Sequence, residues 1–342
     1  MKPDFKQFEK VLRREIPSRP VLFEFFLNQR LYKRALGDKY NEKGMLNYIN
    51  SISGAMAHYG YDCAAVMGAD FGFYRKTKHA GKAASTSLNE GCGTITDRAS
   101  FGTYKWRNPA DCDYSALENC TLAKGFKLCI HSPDGVLENV IGLTGFDNLC
   151  MMLYDDEQLV WDIFENVGKG LVGYYKECVK KKSVGAIISN DDWGFNSATM
   201  LSPAHMRKFV FPWHKKIVET AHAAGKPVIL HSCGNFRDIL DDLIALKYDA
   251  RHSYEDKIMP VEEAYPLLRK HMAVLGGIDV NWLISASDEE IRKRALNLIN
   301  EGMKYGGYAL GSGNSIPNYV PDEKYLAMIG AANRRNYENQ KR

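Results

Sequence analysis

His231 and Cys233 stand one serine apart in the stretch PVILHSCGN, Pro227 to Asn235, directly after a run of apolar residues. An imidazole nitrogen and a thiolate sulfur are donors that zinc favours. On alternate positions of an extended segment both point to one side, so the pair can reach a single ion. A hydrogen-bonded core histidine beside a buried thiol is the competing reading. The other seven cysteines, Cys63, Cys92, Cys112, Cys120, Cys129, Cys150 and Cys178, show no tight repeated spacing. They read as free thiols in a reducing compartment.

Further polar groups stand where other β-rich runs stop: Glu24 and Asn28, Asp70, Asp191 and Asp192, His252 and Glu255, Asp279, and Asn314. Helix capping and turns account for Asn or Asp at such places, and Asp70 and Asp279 are open to that explanation. Capping has no use for His, Cys or Glu. His214 and His222, eight apart on one helical stretch, are too far separated for a ligand pair and read as surface or packing residues.

These groups need elements to bring them together. PVLFEFF (Pro20 to Phe26), DCAAVMGAD (Asp62 to Asp70) and NVIGLTGF (Asn139 to Phe146) read as early strands. VGAIISNDDWG, PVILHSCGN, DARHSYED, AVLGGIDV and GGYALGSGNSIP follow, with helical stretches between them. One such stretch begins at Ser202 and Pro203, a capping residue and a first-turn proline, and ends at Gly225. The alternation predicts parallel strands with crossover helices, and about eight units favour a (β/α)8 barrel over an open sheet. In a barrel the C-terminal strand ends share one mouth, which would gather the polar groups. The whole chain, 1–342, reads as one domain. Residues about 71–130 break the alternation and are expected to form a lid inserted after the second strand. Tyr104, Trp106 and Arg107 there either cover a flat ligand or pin the excursion down. The GCGT within it lacks a phosphate-loop lysine, and no dinucleotide pattern is present.

The chain has 342 residues, 45% of them hydrophobic and 25% charged, with a net charge of +4 and no block of one sign. That composition argues against nucleic-acid and membrane partners. No apolar run approaches bilayer length and the N-terminus lacks a signal-peptide core, so a cytoplasmic enzyme is expected.

The stretch ISNDDWGFNSATMLSPAHMRKFVFPWHKKIVETAHAAGKPVILHSCGN, Ile188 to Asn235, resembles the uroporphyrinogen decarboxylase superfamily. It shares the acidic-Trp-Gly turn, the Ser-Pro helix start, the Phe-x-x-Pro-Trp segment and the strand ending in His. The likeness continues through GGIDV and GGYALGSGNSIP and is looser in the N-terminal half. It implies a (β/α)8 barrel and one of two chemistries. The decarboxylases resemble a first strand ending in an arginine cluster that neutralises substrate acids, but here LFEFFLNQRLY puts Glu24, Phe25 and Phe26 where that cluster would start. The cobamide-dependent methyltransferases resemble this chain more closely, through a His-x-Cys that holds zinc with a later cysteine.

Here the later position falls near Asn314 or Ser315, so another donor is expected, with Glu255 first and His252 second. A site with one thiolate and harder donors is a stronger Lewis acid, suited to polarising a methylated substrate, with an aryl methyl ether the leading candidate. The methyl group would pass to a corrinoid carried by a separate protein, since no corrinoid-binding segment is recognised in the chain. Under this reading Asp191, Asp192 and Glu24 are the catalytic candidates. Asn28, Phe146, Trp193, Asp279 and Asn314 are the substrate contacts, and a homodimer is compatible with it. A metal-free binding protein on the same barrel is the reading from another class.

Overall fold

The computed structural model describes residues 2–75 and 93–340. Seven parallel strands run in chain order: β1 Cys63–Met67, β2 Lys127–His131, β3 Val184–Asn190, β4 Val228–His231, β5 Ala250–His252, β6 Ala273–Leu275 and β7 Tyr308–Ala309. Helices connect consecutive strands, as parallel pairing requires. At the far edge Leu22 bridges in parallel to Leu310, through Phe23 N–H to Leu310 O and Leu310 N–H to Val21 O. The N-terminal stretch therefore lies against the last strand, in an α/β arrangement compatible with a barrel.

Alternation along the strands sorts side chains into two cores. One face packs against the helices in a large cluster that includes Ala64, Val66, Leu128, Ile130, Ile187 and Leu230. The other face forms a smaller inner cluster, in which Ala65, Cys129, Ala186, Ile188, Ile229, Ala250 and Ala273 meet Phe8, Phe23 and Phe25. Continuing the inner rows by two residues reaches His131 after Cys129, Asn190 after Ile188, His231 after Ile229 and His252 after Ala250. The strands thus deliver these four polar residues to one end of the inner face.

Two expectations are corrected. Asn139 to Phe146 is not a strand: Val136–Thr144 is a helix, and a second, Phe146–Asp155, follows after Gly145. The first of these is buried on nearly every side, which gives a continuous apolar run without helical periodicity. The true second strand is β2, which the sequence reading had placed within and at the edge of the excursion. The described parts of that excursion include a helix, Arg98–Thr103, closed by a capping box between Asp97 and Ser100. Trp106 packs against Phe73, Phe101 and Tyr104, and Tyr114 meets Tyr174 on the helix Glu157–Cys178. Tyr104 and Trp106 thus pin the segment, while residues 76–92, with Gly91 and Cys92 of the GCGT motif, fall outside the described residues. No single helix among the described residues is long and apolar enough to cross a membrane.

Candidate metal centre

Asp192, His231 and Cys233 each offer one donor atom, and the three atoms lie within 4.8 Å of one another. A tetrahedral zinc with bonds of about 2.0–2.3 Å holds its ligands about 3.4–3.7 Å apart, so at most about 1 Å of closure completes the set. Nitrogen, sulfur and carboxylate oxygen from three protein residues fit a zinc ion that keeps one position open. One Asp192 oxygen accepts the Cys233 N–H at 2.9 Å, which ties the turn after β3 to the turn after β4. The Cys233 sulfur accepts from Asn314 Nδ2 at 3.2 Å and lies 3.6 Å from Ser253 Oγ. Burial, reinforced by the Asp192 charge, pushes the Cys233 thiol well above its usual range. A cation at this point would replace the thiol proton, since the thiolate is the ligand form.

His231 is buried and stacked on Phe25, with ring centroids 4.2 Å apart. Burial pushes its pKa down to about 3, helped by the Arg251 and His131 charges, so the ring is neutral at ordinary pH. Its Nδ1 lies 2.7 Å from Nδ1 of His252, which is completely buried and also held well below the usual histidine range. His252 Nε2 lies 3.3 Å from the Ser312 carbonyl. Ser312 in turn donates through its hydroxyl to Glu24 Oε1 at 2.6 Å and through its N–H to Oε2 at 3.1 Å. Glu24 is 2% exposed, and burial raises its pKa to about 8 against the lowering effect of these hydrogen bonds.

Glu24 alternates with the inward Phe23 and Phe25 beside the Leu22 bridge, so it lies on the opposite side from them and reaches the centre through Ser312. Glu255 is half-buried beside Ser253 and Tyr254 and stands outside the convergent trio, in which Asp192 takes the carboxylate place. His252 likewise stands behind His231 instead of among the trio.

Asp191 is wholly buried, and its carboxylate accepts from Leu137 N, Glu138 N, Trp193 Nε1 and His214 Nε2 at 2.8–3.1 Å. Those bonds anchor the start of the helix Val136–Thr144. Trp193 is 2% exposed, packs on Phe211 and His214, and spends its N–H on Asp191. Asn28 and Asp279 are helix N-caps, accepting from Leu31 N and Trp282 N. Phe146 meets Phe195 edge-on at 6.1 Å. Asp70 is almost fully exposed, 4.0 Å from Arg107.

Three groups escaped the sequence reading. His131 ends the missed strand β2 and meets Phe25 at 5.1 Å. His214, read as surface or packing, is a packing residue, fully buried, whose bonds to Asp191, Ser189 and Tyr248 the reading did not foresee. Its signal was present: Ile217, Val218 and Ala221 follow at three, four and seven residues, on the same buried face. Arg251 is fully buried between Phe236 and Tyr254, donating to the Ser232 and Ser253 carbonyls.

Comparisons agree with this architecture. A methyltransferase from Methanosarcina mazei superposes with a TM-score of 0.69 over 98% of this chain and 99% of its own, at 13% sequence identity, a likeness of fold. A uroporphyrinogen decarboxylase from Anaeromyxobacter sp. (strain Fw109-5) is 25% identical over 193 residues, 56% of this chain and 52% of the relative. The chain thus spans about half the length of that curated relative. Residues 130–335, more than half of the sequence and all of the strands that carry the convergent donors, match the uroporphyrinogen decarboxylase (URO-D) family, and the chain belongs to it.

Proposed function

We propose that this protein is a zinc-dependent methyltransferase that moves a methyl group from a small methylated substrate, with aryl methyl ethers as the leading class, to the cobalt of a separate corrinoid protein. The observation that carries the reading is the convergence of Asp192, His231 and Cys233 at the strand ends. These three residues would hold zinc, and zinc supplies Lewis acidity toward a substrate oxygen or nitrogen when bound. Asn314 donates to the Cys233 sulfur and so withdraws electron density from the thiolate. Asp192 brings a hard oxygen in place of a second sulfur. Both features favour polarising a methylated heteroatom over keeping a thiolate nucleophilic.

Phe146 and Phe195 would form an aromatic wall for the substrate ring, and the segment after β1 would act as a lid. Residues 20–26 would close an eight-stranded barrel beneath the site. The decarboxylase reading is weaker, because Arg30, the cation nearest the expected basic cluster, spends its donors on Asp322 and on the Asn318 and Val320 carbonyls.

The test is metal content by plasma mass spectrometry on protein purified without chelators, beside a His231→Ala, Cys233→Ala double variant. Near-stoichiometric zinc in the wild type and its loss in the variant are expected, followed by methyl-ether-dependent methylation of a reduced corrinoid protein. Equal absence of metal in both proteins after zinc is supplied overturns the reading.

A further inference from the structure

The two Nδ1 atoms of His231 and His252 face each other at 2.7 Å, a distance that requires one proton between them. A neutral imidazole carries one N–H and one lone pair. The geometry decides which ring donates. His252 Nε2 points at the Ser312 carbonyl oxygen at 3.3 Å, and a carbonyl only accepts. His252 therefore keeps its proton on Nε2, its Nδ1 presents a lone pair, and His231 must supply the proton on Nδ1. The opposite assignment sets the His252 Nε2 lone pair against the Ser312 oxygen in a fully buried place, where the conflict has no water to relieve it. It also leaves His231 protonated on Nε2, with no free lone pair.

We propose that His252 is the positioning residue for His231: it fixes the tautomer that carries its proton on Nδ1, so that Nε2 is the nitrogen presented to the metal. The proposal rests on the zinc reading for the identity of the ion, while the tautomer itself exists without any metal. Ser312 is held in turn by Glu24 through both its N–H and its hydroxyl. Its carbonyl also accepts the Gly277 N–H at 2.9 Å, which fixes the oxygen that orients His252. The chain Glu24, Ser312, His252, His231 runs from the N-terminal stretch that bridges to Leu310 to the centre.

The device has a chemical consequence. Metal-bound histidines usually donate their second N–H to a carboxylate or a carbonyl, and a carboxylate partner makes the ligand more electron-rich. A neutral imidazole partner fixes the ring equally well without adding negative charge. A zinc ion at this centre would stay more electrophilic, in keeping with activation of a poor leaving group.

The experiment compares wild type with His252→Phe, which removes both nitrogens, and His252→Asn, whose side-chain oxygen sits near the position of Nδ1. Long-range 15N–1H correlation spectra on metal-free protein with labelled histidine report the tautomer of His231. Zinc affinity by chelator competition, with the absorption spectrum of the cobalt-substituted protein, reports the centre. Wild type is expected to show the Nδ1-protonated form. His252→Phe should lose that preference and bind zinc about 10–100-fold more weakly, and His252→Asn should recover most of the affinity. Far-ultraviolet circular dichroism and the denaturation midpoint separate this loss from unfolding.

An Nε2-protonated His231 in metal-free wild type overturns the proposal, as does zinc affinity in a folded His252→Phe within about 2-fold of wild type. If wild type binds no zinc, the metal reading falls by itself, and the ring signals still decide whether His252 sets the tautomer.

Discussion

At the residue scale, the chain separates groups that face the site from groups that act from behind it. Glu24 shows the difference. In sequence it is an acid at the end of a strand beside a candidate metal centre, but alternation turns it away from the inward Phe23 and Phe25, and Ser312 occupies both oxygens. Its ordinary carboxyl pKa of 4.5 rises to about 8 because burial penalises the charge more than its hydrogen bonds favour it. The sign of the pH effect follows. Between those two values the native state keeps a proton that the unfolded chain has released, so this group's contribution to stability falls as pH rises from 4.5 toward about 8 and levels off above. Glu24→Gln imitates the protonated acid and should remove this slope. Urea denaturation at about pH 5, 7 and 9 should show the variant gaining on wild type with rising pH, by on the order of a few kcal/mol at the alkaline end. A difference between the two proteins that stays flat with pH would remove the buried-acid account of Glu24.

At the scale of elements, the site is built from strand ends whose spacing depends on glycine. Gly276, just past β6, has φ +72°, and a Cβ there would meet the Ser312 oxygen and the His252 ring. Gly276→Ala therefore strains the backbone and wedges apart the contact that holds His252. A loss of about 1–3 kcal/mol in stability is expected. Zinc affinity should fall further than in a substitution of equal destabilisation far from the centre, checked by denaturation and chelator competition together. Equal affinity in Gly276→Ala and wild type would show that the contact has slack.

The elements also mark what the sequence could reveal. Strands β3, β4 and β6 were legible as short apolar runs, and β5 and β7 by their place between helical stretches. β2 was not, since five residues at the end of a long Gly- and Ser-rich segment carry too little pattern to stand out. Val136–Thr144 misled because a helix buried all round has no polar face to set its period. The His-x-Cys pair was legible from alternation, whereas Asp192 as its neighbour depended on how two turns meet in space. Asp191 and Asp192, adjacent in sequence, face opposite ways, and no composition argument separates them.

At the scale of the molecule, the inner core is filled from outside the sheet. The strands contribute mostly small side chains inward, among them Cys63, Ala65, Cys129, Ala186, Ala250, Ala273 and Ala309. The space they leave is taken by Phe5, Phe8, Val11 and Leu12 of the N-terminal helix Phe5–Leu12, together with Phe23 and Phe25. Phe8 is fully buried and stacks on Phe23 with centroids 5.7 Å apart, and Phe23 meets the His252 ring edge-on at 5.1 Å. The N-terminal helix thus plugs the inner core and, through one intervening ring, supports the histidine that backs the candidate ligand. Small inward residues cannot collapse to fill a void left by a phenyl ring, so Phe8→Ala should cost about 3–5 kcal/mol, near the top of the range for such truncations. Phe8→Leu should cost about 1–2 kcal/mol, because most of the volume remains. Denaturant midpoints at unchanged slope are the measurement. A Phe8→Ala loss below about 1 kcal/mol would mean that the strands close over the gap and that the plug does not set the packing beneath His252.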